Sequence, residues 1–245
     1  MRVSYGKWTK HKLMSQSDKL IGYLPDTQYF KKEILWSMLD KHKQVMLKPC
    51  FGYQGIGIVQ LTALEGDAIE FHKNYKKLIL NGKDETFSYL KENHFSKKRK
   101  PRYIVQQKIP LATINNNPFD IRVMVQRKKT SSEWVVTGKL AKVAANNYVI
   151  TNAAKAVLSV EEAINRSTLD NEATQKIISE LEHVSLLVAH HLAKSYPKKR
   201  VYGIDLAIDQ EGRIWIIEAN LSPATSMFKF LKDGSYETIK SYKRG

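Results

Sequence analysis

VYGIDLAIDQEGRIWIIEANLSP, residues 201–223 of the 245-residue chain, reads as two apolar runs on either side of a turn. Val201 to Ile208 and Arg213 to Asn220 have the β-branched and aromatic content of strands, and Asp209-Gln210-Glu211-Gly212 has the composition of a hairpin loop. A four-residue loop predicts that Ile208 faces Arg213 and Asp205 faces Ile216, with Asp205 diagonal to Glu218. Side chains alternate along a strand, so Asp205, Glu218 and Asn220 share one face, while Trp215, Ile217 and Ala219 take the other. Neighbouring carboxylates repel unless a cation or a cationic side chain lies between them, and an oxygen-rich set is what Mg²⁺ selects. The bland alternative is a pair of solvated carboxylates. Against it stand the apolar strand around Glu218 and a chain that continues into Leu221-Ser222-Pro223 rather than a polar tail.

Working outward, the length allows one large or two modest domains. The single cysteine, Cys50, rules out a disulfide framework within the chain and reads as a small core residue, which fits a reducing, cytoplasmic setting. The N-terminal residues lack an apolar run, and nowhere do about eighteen apolar residues follow one another, so no signal or membrane span is expected. A formal charge of +16 favours acidic small substrates or polyanions without choosing among them. The densest basic run, residues 96–102, has no interleaved aromatics and reads as a solvated loop; no nucleic-acid module signature is present.

Residues 6–39 read as helical pieces around a break at Leu24-Pro25-Asp26-Thr27. Val45 to Pro49 is a short strand that carries Lys48 into a run with Gly52, Gly55 and Gly57. Those glycines let backbone N–H groups approach phosphate oxygens closely, although neither a Walker loop nor a dinucleotide fingerprint follows. Residues 84–94 suggest a helix, and Tyr103 to Gln107 a strand. In Phe119-Asp120-Ile121-Arg122-Val123, alternation places Asp120 and Arg122 on one face; Trp134 to Lys139 forms a further strand, followed by Lys142. A long amphipathic helix is expected over 171–195, with His190 and His191 on its surface.

Asp205, Glu218 thirteen positions later, and Asn220 in Glu-x-Asn before Ser-Pro are similar to the metal-binding end of ATP-grasp ligases. Trp-x-Lys, Leu-Pro-x-Thr, Leu-Lys-Pro, Asp-Ile-Arg and Ile-Glu-Ala-Asn extend the resemblance over nearly the whole chain, to YheC/YheD-type endospore coat-associated proteins. The resemblance implies an α+β ATP-grasp fold: a helical lead-in over 1–42, a small lid over 43–109, a large subdomain over 110–245, and a shortened or absent N-terminal domain. It implies ATP and Mg²⁺ as cofactors, with Asp205, Glu218 and Asn220 on the metal. Lys48 and either Lys7 or Lys10, with Lys10 preferred, would meet the phosphates. Gly52, Gln54, Gly55 and Gly57 would form the covering loop. Gln106, Gln107, Lys108 and Ile109 match the adenine hinge, although no acidic residue stands at the ribose position. Arg122 and Lys142 would meet the transferring phosphoryl group, Lys142 where many relatives carry arginine. Asn152 matches an asparagine near the phosphates, but Ala153-Ala154 follows where the family has a glycine pair. The implied activity is a carboxylate-amine ligase working through an acylphosphate, with substrates of unread identity, linked to the spore coat; the alternative is a nucleotide-binding or structural coat protein without turnover.

Overall fold

A computed structural model describes residues 3–52, 55–95, 102–145 and 154–244. Two antiparallel sheets dominate it. The first 30 residues contribute helix α1 (Lys7–Met14), the single turn α2 (Asp18–Ile21) and then, where the sequence suggested only a break, strand β1 (Thr27–Tyr29). Helix α3 (Lys32–His42) follows and ends on Lys43 in the left-handed region, φ 60°.

The smaller sheet is built from β1, β2 (Gln44–Pro49), β3 (Val59–Ala63), β4 (Ala68–Lys73), β5 (Lys76–Asn81) and β6 (Tyr103–Gln107), in the order β1-β6-β2-β3-β4-β5. Its alternation divides cleanly. Val45, Leu47, Val59, Leu61 and Val105 turn toward α3 and α4 (Gly82–Asn93), forming one core with Leu35, Leu39 and Leu90. Lys48 and Gln106 therefore point to the other side, buried but away from the apolar layer.

The larger sheet runs β10-β9-β8-β11-β12, with short β7 (Thr113–Ile114) paired to β8. Its strands are β8 (Asn117–Gln126), β9 (Val135–Ala144), β10 (Ala154–Leu158), β11 (Val201–Ile208) and β12 (Ile214–Asn220). Helices α5 (Val160–Asn165) and α6 (Thr174–Ser195) cover one face through Ile164, Ile177, Leu181, Val184, Val188 and Leu192, against Ile121, Val123, Ile204 and Leu206. α5 starts on Ser159, whose Oγ accepts from the Glu162 N–H. The long helix falls where its apolar period placed it. His190 is exposed as expected, but His191 is 2.7 Å from the Leu13 carbonyl oxygen and ties α6 to α1. The opposite face is partly roofed by Phe228 of a 3-10 turn (Ser226–Phe230) and by Ile239 of α7 (Ser235–Arg244), over Met124 and Leu140, leaving open the stretch that bears Asp120, Arg122 and Asp205. Gly203 is required beside that stretch, because a Cβ there would lie 2.5 Å from Pro223 Cβ. No helix among the described residues is long and apolar enough to cross a membrane.

Candidate functional site

The hairpin of β11 and β12 departs from its predicted register. Asp209 N–H donates to Arg213 O, Ile208 pairs with Ile214, and a bulge at Ile217 brings Asp205 directly opposite Glu218, with Gly203 opposite Asn220. The cause is the Asp209 carboxylate, 1% exposed, which accepts from the Glu211 and Arg213 amides and from Trp215 Nε1. This turn is one residue wider than the sequence suggested, and the bulge restores the phase beyond it. The grouping of Trp215 and Ile217 with Ala219 is thereby corrected. Trp215 pairs with Ala207 on Asp205's face and Ile217 lines the cleft, whereas Ala219 joins Ile214 and Ile216 in the core.

Four adjacent strands, β9, β8, β11 and β12, supply the charges and the amide. Arg122 on β8 lies in register with Asp205 and grips it through two bonds, Nε to Oδ1 at 2.6 Å and Nη2 to Oδ2 at 2.9 Å. Asn220 Nδ2 donates to Asp205 Oδ2 at 2.8 Å. On β9, Lys142 pairs with Asp120 at 2.9 Å and stands 4.0 Å from Asp205. Burial works against the charged form of all three groups, but opposite charges outweigh it: Asp205 is held below the usual carboxylate range by Arg122 and Lys142, while Arg122 and Lys142 are pushed up by Asp205 and Asp120.

The opposing side comes from the smaller sheet and α1. Lys48 is buried, donates to Gln106 Oε1, and has its pKa pulled down to about 8 by desolvation. Gln106 in turn donates to Thr27 Oγ1 at 2.9 Å. Lys10, also buried, reaches Ala219 O at 2.5 Å and Glu218 Oε1 at 3.2 Å; burial and nearby Lys7 lower its pKa against the pull of Glu218. Between the sheets a cavity of about 20 Å³ is lined by Lys10, Met14, Ile104, Gln106, Ile217 and Glu218, room for one water.

Lys10, Lys48, Gln106, Arg122, Lys142, Asp205, Glu218 and Asn220 are thus brought to one cleft. The rest of the proposed hinge is adjacent but aimed elsewhere: Gln107 Oε1 accepts from the Asp26 N–H, Lys108 reaches Gln44 Oε1 at 3.4 Å, and Ile109 is buried. Gly52, Gly55 and Gly57 have φ of 152°, 69° and 79°, and a Cβ on Gly57 would lie 2.9 Å from Pro49 Cγ, so the loop's path depends on glycine. Gln54 and Asn152 lie outside the described residues. Two participants were underrated in the sequence. Lys7 reaches both oxygens of Glu218 at 2.8 Å, and Asp120 is the main counter-charge of Lys142. The spacing of Lys7 and Lys10 on one helical face was the available signal.

No group of three or more His, Cys, Asp or Glu side chains among the described residues is placed to hold a metal ion. What the cleft offers is two facing carboxylates and an amide, all oxygen donors. That set fits Mg²⁺, which keeps several waters and uses one or two carboxylates together with substrate phosphates rather than a protein cage. Asp205, Glu218 and Asn220 could hold it in that manner.

The paired antiparallel sheets with a charged cleft between them define an ATP-grasp fold. Solved structures agree: the ADP complex of PurK, an N5-carboxyaminoimidazole ribonucleotide synthetase, superposes with a TM-score of 0.51 at 16% identity over 91% of this chain and 46% of that one. The Aspergillus clavatus N5-carboxyaminoimidazole synthase, with ADP and 5-aminoimidazole ribonucleotide, gives 0.54 at 11% identity over the same shares. Within the fold, the model described as YheC/D like ATP-grasp matches residues 2–244, and the chain belongs to that family. Two Bacillus subtilis (strain 168) proteins are related to it. Endospore coat-associated protein YheD is 27% identical over 234 residues, 93% of this chain and 50% of its own length; YheC is 24% identical over 227 residues, 89% and 59%. The chain therefore spans about half the length of the curated relatives it matches.

Proposed function

We propose that the chain is an ATP- and Mg²⁺-dependent carboxylate-amine ligase working through an acylphosphate. The observation that carries this reading is the cleft itself: Arg122, Asp205, Glu218 and Asn220 from three neighbouring strands face Lys10 and Lys48 from the opposite side. In this reading Gln106 to Ile109 border the adenine, Lys10 and Lys48 neutralise the phosphates, and the glycine loop closes over them. Mg²⁺ would supply charge neutralisation between the nucleotide phosphates. Arg122, kept cationic by its carboxylate neighbours, and Lys142 stabilise the γ-phosphoryl group as the substrate carboxylate oxygen bonds to phosphorus and the bond to the ADP oxygen breaks. The amine then attacks the acyl carbon, phosphate departs with its bridging oxygen as the C–O bond to that carbon breaks, and the new amide nitrogen gives up a proton to solvent.

The spore-coat names of the relatives suggest a coat-linked role. The five cationic side chains in and beside the cleft, Lys7, Lys10, Lys48, Arg122 and Lys142, suit an acidic acceptor. The test is a screen of mixed carboxylates and amines for ADP release in the presence of Mg²⁺. A pair that releases ADP only when both members are present supports the ligase. Mg-ATP protection against unfolding without turnover for any pair points to a nucleotide-binding coat protein, and no protection at all removes the nucleotide reading.

A further inference from the structure

Glu218 is engaged in a way that the oxygen set alone does not explain. Lys7 Nζ stands 2.8 Å from each of its two carboxylate oxygens, and Lys10 Nζ adds a third contact at 3.2 Å. Lys7 is not a wandering surface lysine. Its side chain is 13% exposed, and its backbone N–H, the first of α1, donates to Cys50 O at 2.8 Å, two residues beyond Lys48. The lysine is therefore strung between the phosphate-facing strand of the smaller sheet and the hairpin of the larger one. Asp205, across from Glu218, already accepts from Arg122 at both oxygens and from Asn220 at Oδ2.

The charge balance then works against a bare metal ion. Among the described residues five cations, Lys7, Lys10, Lys48, Arg122 and Lys142, surround three carboxylates, Asp120, Asp205 and Glu218. A divalent cation arriving alone meets a net positive cluster and must displace Lys7 from Glu218. A triphosphate reverses the sign, and it gives the lysine somewhere else to go.

We propose that Lys7 is a built-in counter-ion that occupies Glu218 in the nucleotide-free protein and yields it to a divalent cation when nucleotide phosphates draw the lysine away. Metal entry is thereby made conditional on nucleotide, and the two ligands bind with positive coupling that passes through one side chain. This rests on the nucleotide and metal reading given above. Lys7 acts here as a positioning residue: it decides whether a metal ligand is free.

The test uses Mn²⁺ alone, titrated into the full chain without nucleotide and followed by the electron paramagnetic resonance signal of the free ion. Lys7→Met should tighten Mn²⁺ binding about tenfold, because the unit charge that stands 2.8 Å from both Glu218 oxygens is removed in a part-buried setting. Lys7→Gln, which keeps a neutral donor, should do the same if the methionine variant folds poorly. The same variants should bind a non-hydrolysable ATP analogue more weakly in the absence of divalent cation, a pairing of opposite signs that a merely structural role would not produce. Lys12→Met removes an equal charge from the exposed side of α1 and should leave Mn²⁺ binding within about twofold. Unchanged or weaker Mn²⁺ binding in Lys7→Met and Lys7→Gln overturns the proposal, as does an equal gain in Lys12→Met or a gain that survives Glu218→Gln. A failure of the underlying reading looks different: the analogue then fails to bind with Mn²⁺ present, whatever residue stands at position 7.

Discussion

The two sheets carry buried charge in opposite ways. On the larger sheet Arg122 and Asp205 sit in register and hold each other through two bonds, and Lys142 has Asp120, so each charge meets its counter-charge in the folded chain. On the smaller sheet Lys48 is just as deep but bonds only to a neutral amide, and its pKa drops to about 8. The first arrangement stabilises a fixed platform. The second leaves an ammonium whose desolvation Glu218, Asp205 and Asp120 offset only in part, which is the electrostatic condition of a ligand site rather than of a scaffold.

The sharpest way to break this contrast is to remove one charge from each sheet. Asp205→Asn strands the Arg122 guanidinium in a part-buried setting and should lower unfolding free energy by about 3 kcal/mol, read by urea denaturation without any ligand. If the variant is as stable as the parent, the platform is not held by this pair.

Lys48→Met should do the reverse. Without ligand the protein stays as stable or gains stability, since a charge whose burial its carboxylate neighbours offset only in part has been replaced by an apolar chain of similar length. Mg-ATP affinity should nevertheless fall about a hundredfold, which calorimetry would show directly. A large loss of ligand-free stability would mean that Lys48 belongs with the platform after all.

The pH dependence of Lys48 sharpens the same point. Its folded pKa, about 8, lies below its ordinary 10.5. Below pH 8 both folded and unfolded chains carry the proton and the full cost of burial is present. Between 8 and 10.5 the unfolded chain keeps a proton that the folded one has shed, so this group makes the fold more stable as pH rises, by at most about 1.4 kcal/mol per unit. Nucleotide affinity should move the opposite way, weakening above pH 8 as the ammonium is lost. The difference between wild type and Lys48→Met, measured from pH 7 to 10, isolates both slopes.

How much of this was legible follows the same division. Alternation along 213–220 put Glu218 and Asn220 on one face, but they share it with Asp205 because two departures from the expected hairpin cancel, a turn one residue wider and a bulge at Ile217. It could not give the partner across the hairpin, since that depends on the Asp209 carboxylate collecting two backbone amides and an indole N–H, and on a bulge at Ile217 that no period announces. Lys7 and Lys10 were both visible as candidates, but their shared hold on Glu218 spans over two hundred residues of chain and is a tertiary fact. Strand β1 escaped for a simpler reason. Three residues, Thr27 to Tyr29, are too few to show a period, and they become a strand only because β6 offers an edge.

The smallest expected effect concerns the turn that sets the register. Trp215 Nε1 donates to Asp209 Oδ2 at 2.9 Å, while the Glu211 and Arg213 amides hold Oδ1 at 3.0 and 2.9 Å. Together these bonds keep Asp209 ionised despite its burial, and fix the width of the loop that brings Glu218 opposite Asp205. Trp215→Phe removes one donor and leaves the two backbone amides in place, so the loop should keep its path at a loss of about 1 kcal/mol in urea denaturation. The indole lies on Asp205's face but at the far end of the strand from Asn220, beyond the bulge. Nucleotide affinity should therefore remain within about twofold, because the site's own contacts are untouched and distant substitutions add independently. A variant that loses both stability and nucleotide affinity would show that the register of the whole hairpin hangs on the indole. The bulge at Ile217 would then be a consequence of the turn, and the platform on the larger sheet would be as dependent on one hydrogen bond with a neutral partner as Lys48 is on the smaller.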